Sequence, residues 1–324
     1  MNRTALLLLA TLAAASGGCG AQSILLGTEG SYLFTAMDVL AVPGDETALA
    51  ARLQGGDFLR GKAGVVIRFL RDGKLYAAAE TDSDGAAVVQ FTPEAPGDYR
   101  FTVEVAPAGL PDSPPSPVDI LVACRKSDAP LLVVDMDKTV VASGFHTVLI
   151  GKPDPMPDSA RVLTRLAGTH TVVYLTHRPD YFGPKSEAWL KANGYPKGPL
   201  LLSSAGGFMK GSSAFKTAAI QEMKKKFNKI EIGIGDKISD AQAYHANGLR
   251  SFLIISIPED GAADSFEGLA EDISALPDEV QVVTGWKEIE QAVFSQAKFN
   301  RSAMEKRLRT LAAQKKAAEK KAGK

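Results

Sequence analysis

Two hydrophobic periods that no single sheet can accommodate meet near residue 127. Before it, Tyr99, Phe101, Val103 and Val105 alternate with Arg100, Thr102 and Glu104. That is the pattern of a strand with one face buried and one in water. After it, Leu131-Leu132-Val133-Val134 is apolar without interruption, which suits a strand buried on both faces. A strand of the first kind belongs to a sandwich, and one of the second kind to a parallel sheet covered by helices. The chain is therefore read as two domains of different class.

In the first domain, 25–125, strands are expected at Val65–Leu70, Leu75–Ala79, Ala87–Phe91, Tyr99–Val105 and Val118–Val122. Arg71-Asp72-Gly73-Lys74 and Asp82-Ser83-Asp84-Gly85 supply the turns. Short strands punctuated by Gly and Asp predict a β-sandwich. In the second domain, 127–297, strands at Leu131–Val134, Thr171–Leu175, Ile230–Ile234 and Ser251–Ile255 alternate with helices. The helices are expected around Val162–Leu166 (capped by Asp158 or Ser159), at Ser186–Asn193, at Ser213–Phe227, and from Ser239 as cap to Asn247. Strand–helix alternation predicts a parallel sheet with helices on both faces. The last segment, 298–324, is rich in Lys, Arg, Ala and Glu. It reads as a solvated, partly frayed helix, with contact to an anionic membrane surface as its functional reading.

Residues 1–19 read as an export signal, with Arg3 before a short apolar run, Leu6–Ala15, and small residues ahead of Cys19. The ending resembles a bacterial lipoprotein signal, which would make Cys19 the lipidated first residue; simple cleavage nearby is the alternative. The expected location is the periplasm or cell envelope. The remaining cysteine, Cys124, then has no partner, so packing and not disulfides holds the cores. The 324 residues carry no net formal charge, and nothing global points to nucleic acid.

The chemistry-bearing residues sit where strands end. Asp135-Met136-Asp137-Lys138-Thr139 follows the first buried strand, and in open α/β sheets ligands bind at the carboxyl ends of strands. Two carboxylates so close repel and call for a cation or a proton, and Mg²⁺ takes hard oxygen ligands. The second buried strand is expected to end at Thr176, whose hydroxyl can donate to a phosphate oxygen. Lys216, near the start of the next helix, can add positive charge. Gly235-Asp236-Lys237-Ile238-Ser239-Asp240 closes the third strand, the glycine allowing a tight turn and Asp236 and Asp240 adding two carboxylates. His177 and Arg178 follow Thr176, and Arg178 is a candidate for contacting a phosphate or a lipid head group. Trp189 and Trp286 read as packing residues.

The ordered set Asp135-x-Asp137, Thr176, Lys216, Asp236/Asp240 resembles the haloacid dehalogenase superfamily over roughly Pro130 to Phe294. Tyr195–Ser203, Phe215-Lys216 and Gly233–Tyr244 look more narrowly like the lipin-type C-terminal domain, shared by phosphatidate phosphatases and phosphatidylinositol-transfer proteins. Thr81–Val103, with Tyr99 placed as a corner tyrosine, resembles bacterial immunoglobulin-like domains. The resemblance implies an aspartyl-phosphate mechanism, with Asp135 as nucleophile and Asp137 as acid and base. Thr176 and Lys216 would hold the phosphoryl group. Asp135, Asp236 and the backbone carbonyl of Asp137 would hold Mg²⁺, with Asp240 as a further ligand or as a residue that orients the ligands. Lys138 stands where those phosphatases usually have Gly, which bears on substrate choice. The short connections leave no room for a large cap, so an open Rossmann-like site admitting a phospholipid phosphate such as phosphatidate is expected. The rival readings are a phospholipid-binding module without turnover, and an envelope adhesion or scaffold protein working through the sandwich.

Overall fold

The computed structural model describes residues 32–56, 59–107, 114–143, 153–203, 211–258 and 261–322. The expected export signal and Cys19 lie outside them.

The N-terminal domain is a β-sandwich. One sheet joins β1 (Tyr32–Ala36), β3 (Thr47–Gly55), β4 (Arg60–Gly61) and β7 (Ala86–Phe91), with β3 in the middle. The other runs β2-β9-β8-β5-β6, with β2 at Val39–Ala41, β5 at Val66–Arg71, β6 at Lys74–Glu80, β8 at Gly97–Val105 and β9 at Val118–Cys124. The alternation read from sequence becomes the core: Phe101, Val103, Ile67, Phe69 and Val122 meet Leu49, Leu53, Val89 and Phe91. Asp72 and Gly73 both have positive φ, the requirement of a two-residue hairpin whose twist matches its strands. The Tyr99 hydroxyl donates back to the carbonyl of Ala95 at 2.8 Å, the corner bond of immunoglobulin-like folds. Cys124 is buried and unpaired.

The second domain is a six-stranded parallel sheet in the order β12-β11-β10-β13-β14-β15. Its strands are β10 (Leu131–Val134), β11 (Thr171–Pro179), β12 (Leu200–Ser203), β13 (Ile230–Gly235), β14 (Arg250–Ile254) and β15 (Gln281–Val283). All four residues of β10 are buried, as expected for a strand covered on both faces. Helices α1 (Ser159–Ala167), α2 (Gly183–Ala192), α3 (Ser212–Lys226), α4 (Ile238–Ala246), α5 (Ala263–Ser274), α6 (Trp286–Ser295) and α7 (Arg301–Ala322) complete the chain. The chain moves outward from β10 through β11 to β12, then crosses back to β13 on the other side of β10. The strand order thus reverses between β10 and β13, where an open α/β sheet leaves its ligand crevice. Among the described residues, no helix is long and apolar enough to cross a membrane.

Four expectations need correcting. Strand β11 does not end at Thr176 but runs on to Pro179, since Pro179 still pairs with Ser203. Neither cap forms as read. Asp158 occupies the N-cap of α1 without a side-chain cap bond, and Lys237, not Ser239, precedes α4. The strand and helices β12, α5, β15 and α6 were not foreseen. Helix α7 is not simply solvated: Met304, Leu308 and Ala312 are buried against Phe266, Ile273 and Val282. Their spacing of four residues puts one apolar stripe on α5.

The two domains share a polar seam. The Asp38 carboxylate accepts from the backbone N–H of Leu121 in the sandwich at 2.7 Å and of Leu200 in the sheet at 2.9 Å. Asp98 pairs with Arg125 at 2.8 Å and Lys197 at 2.7 Å, and Arg125 also donates to the Thr171 hydroxyl at 3.0 Å.

Candidate active site

The site forms at the carboxyl ends of β10 and β13, which the backbone joins one residue beyond the strand through Asp135 N–H to the Ile234 carbonyl at 2.9 Å. Asp135 leaves the strand first. Met136 then accepts from the N–H groups of Thr139, Val140 and Val141 through its carbonyl, a single helical turn that carries Asp137 and Lys138 around the crevice. Lys138 takes a left-handed φ of 54° and is exposed. This is the conformation glycine adopts freely and a side chain resists, consistent with the glycine expected there. The turn is braced from beneath, because the Trp286 indole donates to the Thr139 carbonyl at 2.8 Å and the Tyr195 hydroxyl to the Val140 carbonyl at 2.7 Å. Trp286, read as a packing residue, therefore also supports the loop that carries Asp137. Its partner lies 147 positions away, so no local pattern could have shown this.

Asp135, Asp236 and Asp240 converge, each offering a carboxylate oxygen within 4.8 Å of the others. Among the described residues, the only cation paired into the group is Lys216 of α3. Its Nζ lies 2.9 Å from Asp135 Oδ1 and 2.7 Å from Asp240 Oδ2, and it is 1% exposed. One ammonium cannot neutralise three carboxylates. Burial, with Asp135 and Asp240 alongside, pushes Asp236 up to about 7. Burial and Asp135 raise Asp240 as well. Burial works against the Lys216 charge, but Asp135 and the neighbouring acidic groups outweigh it and hold its pKa up. The buried Oδ1 atoms of Asp236 and Asp240 find no hydrogen-bond partner among the described residues. Buried acceptors of this kind are normally satisfied, and a hard divalent cation is the partner an all-oxygen set suits. The donor set thus fits a metal ion.

Gly235, expected to allow a tight turn, and Gly233 of the same strand have a different role. A Cβ on Gly235 would stand 2.8 Å from Asp240 Cβ and Oδ2, and one on Gly233 2.3 Å from Tyr244 Cγ. Both keep space for α4 to press Asp240 against the strand.

Asp137 does not join the three carboxylates. Its side chain turns to Arg178, which grips both oxygens, Nη2 to Oδ1 at 2.7 Å and Nε to Oδ2 at 3.1 Å. Arg178, a candidate for contacting phosphate, is thus engaged within the protein. Thr176 is buried inside β11, and its Oγ1 accepts from the Arg178 N–H at 3.3 Å. The ring of His177 lies 5.9 Å from that of Phe215, the residue before Lys216. Between Asp137 and Lys216 the described residues form α1, β11, α2 and β12 and no separate cap domain.

No curated protein matches the sequence. Three solved structures similar to the sandwich are the CARDB domain of PF1109 from Pyrococcus furiosus (14% identity, 29% of this chain and 94% of that one, TM-score 0.22), the fibronectin(III)-like modules of Clostridium thermocellum CbhA (16%, 30% and 47%, 0.22) and the D0-D1 domain of intimin (18%, 31% and 55%, 0.23). Residues 132–257, which hold every side chain of the carboxylate cluster together with Lys216 and Arg178, match the family model described as PITM 1-3, LNS2 domain. This segment is an LNS2 domain, lipin-type and haloacid dehalogenase-like, preceded by a β-sandwich.

Proposed function

We propose that the protein is a Mg²⁺-dependent phosphomonoester hydrolase that works through an aspartyl-phosphate, with a phospholipid phosphate such as phosphatidate as substrate. The observation that carries this reading is the largely buried group of Asp135, Asp236 and Asp240 at the strand-order reversal, with Lys216 between Asp135 and Asp240 and two carboxylate oxygens without a hydrogen-bond partner among the described residues. The lipid preference is supported by the LNS2 match and by the absence of a cap among the described residues. A periplasmic or cell-envelope location is supported by the apolar run before Cys19, read as an export signal. Membrane contact would come through a lipidated Cys19 or the basic helix α7.

In this reading an Asp135 oxygen attacks phosphorus while the ester oxygen leaves with a proton from Asp137. Asp137, now ionised, takes a proton from water. The water oxygen attacks phosphorus, the Asp135 carboxylate departs, and phosphate is released. Lys216 and Thr176 hold the phosphoryl oxygens and offset their charge. Mg²⁺, held by Asp135, Asp236, Asp240 and the Asp137 carbonyl, would supply the positive charge that lets two anions approach.

The test is phosphate release from phosphatidate, lysophosphatidate, nucleotides and phosphopeptides with and without Mg²⁺. Turnover should require the metal and fall by at least about 10³-fold in Asp135→Asn. Full activity in that variant would remove Asp135 as nucleophile. Vesicle binding with no turnover in the wild type, unchanged by the substitution, would instead assign a lipid-binding module.

A further inference from the structure

We infer that Arg178 is a positioning residue that keeps Asp137 out of the carboxylate cluster and aimed at the ester oxygen; this rests on the phosphatase reading above.

Asp137 is covalently tied to a loop whose other carboxylate, Asp135, already sits in the cluster with Asp236 and Asp240. A cation bound there attracts any free carboxylate within reach. Proton transfer needs the opposite, an Asp137 side chain that stays off the metal and turned toward the leaving group. The structure shows what restrains it. The guanidinium fork engages both Asp137 oxygens through Nε and Nη2, a two-point grip that fixes the plane of the carboxylate as well as its place. The third nitrogen, Nη1, donates to Ser186 Oγ at 2.9 Å. Ser186, 1% exposed in the first turn of α2, anchors the fork from behind. Two guanidinium nitrogens therefore hold Asp137 and the third is anchored on Ser186, and the Arg178 side chain is 2% exposed. Extension of β11 past Thr176 to Pro179 is what carries Arg178 to this position.

The role is specific to geometry, so charge alone should not replace it. An ammonium at 178 can balance Asp137 but cannot hold both its oxygens. Arg178→Lys is therefore the main variant, and Arg178→Ala the second. Phosphate release is measured with an alkyl phosphomonoester and with p-nitrophenyl phosphate, alongside trapping of labelled phosphoenzyme after an acid quench. For the alkyl ester, kcat should fall roughly 10²-fold in both variants, with KM within about threefold of wild type. With p-nitrophenyl phosphate the leaving group needs no proton, so its first burst should persist. The aspartyl-phosphate then waits for a base that is out of place, and labelled protein should accumulate where the wild type shows little.

A higher KM with unchanged kcat would make Arg178 a substrate contact. An equal loss for both esters without accumulated phosphoenzyme would reduce it to a structural residue, and wild-type kcat in Arg178→Lys would show that charge alone suffices. Each overturns the inference. If Arg178→Ala does not fold, the lysine variant decides alone. A wild type that forms no phosphoenzyme and releases no phosphate from either ester overturns the phosphatase reading instead.

Discussion

The candidate active site and the domain seam both bury carboxylates, and they treat them in opposite ways. At the seam, each oxygen of Asp38 receives a backbone N–H. Burial still pushes its pKa up to about 6, against the pull of those two bonds. Across the same seam burial, then Asp38 and Asp119, push Glu187 up to about 8. At the centre, three carboxylates share one lysine, and Asp236 and Asp240 each keep an oxygen unpartnered. A buried acid with every lone pair engaged joins two pieces of structure. One that is left wanting is kept for something that arrives later.

Breaking the lysine is the severest test of this contrast. Lys216→Met should cost about 3 kcal/mol in denaturant unfolding without added metal, together with at least about 10³-fold in turnover. Saturating Mg²⁺ should recover part of the stability, because a cation then stands among the carboxylates, and none of the turnover. Asp38→Ala should cost on the order of 2–4 kcal/mol, since two buried N–H groups lose their acceptor. Its kcat per folded molecule should nevertheless stay within about twofold of wild type; a large fall would mean that the seam shapes the site.

The pH dependence sharpens the same contrast. Asp38 binds its proton more tightly folded than unfolded, so the native state holds more protons between pH 3.8 and about 6. Stability attributable to Asp38 is therefore present below that window and lost as pH rises through it, by roughly 2–3 kcal/mol at most. Asp38→Asn should flatten that part of the stability–pH curve, and an unchanged slope would remove Asp38 as its source. A subtler steric change is Gly235→Ala, which should push Asp240 off Lys216 and lower turnover about 10-fold with a modest loss of stability. The smallest effect belongs to the strained loop: Lys138→Gly should raise stability by up to about 1 kcal/mol by removing a side chain from a left-handed backbone, read as a small rise in Tm.

The same contrast explains what could be read from the sequence. The convergence of Asp135, Asp236 and Asp240 was legible because each follows a strand whose apolar run marks it. Lys216 was legible from its place on an amphipathic helix. Asp38 carried no signal. Its partners are backbone donors 83 and 162 residues away, and a backbone N–H has no letter. The Asp137–Arg178 grip was hidden because β11 was read as ending at Thr176, which left Arg178 in a loop. Met304, Leu308 and Leu311 did show helical spacing, but the lysines and arginines around them outweighed it. Strand β15 has only three residues, too few to carry a period.

The strand order also sets a timetable for synthesis. The sandwich is complete once Cys124 has been made, because the partners of all its strands lie at or before that residue. Strand β10 follows at once, yet one of its neighbours, β13, begins about a hundred residues later at Ile230. Until then β10 has one flank without a partner, and Asp38 waits for Leu200. Contacts so distant form slowly, and an unpaired apolar strand is prone to the wrong partner. The already folded sandwich is the surface beside which that strand must wait, so weakening the sandwich should lower the yield of active protein even when each finished molecule works normally.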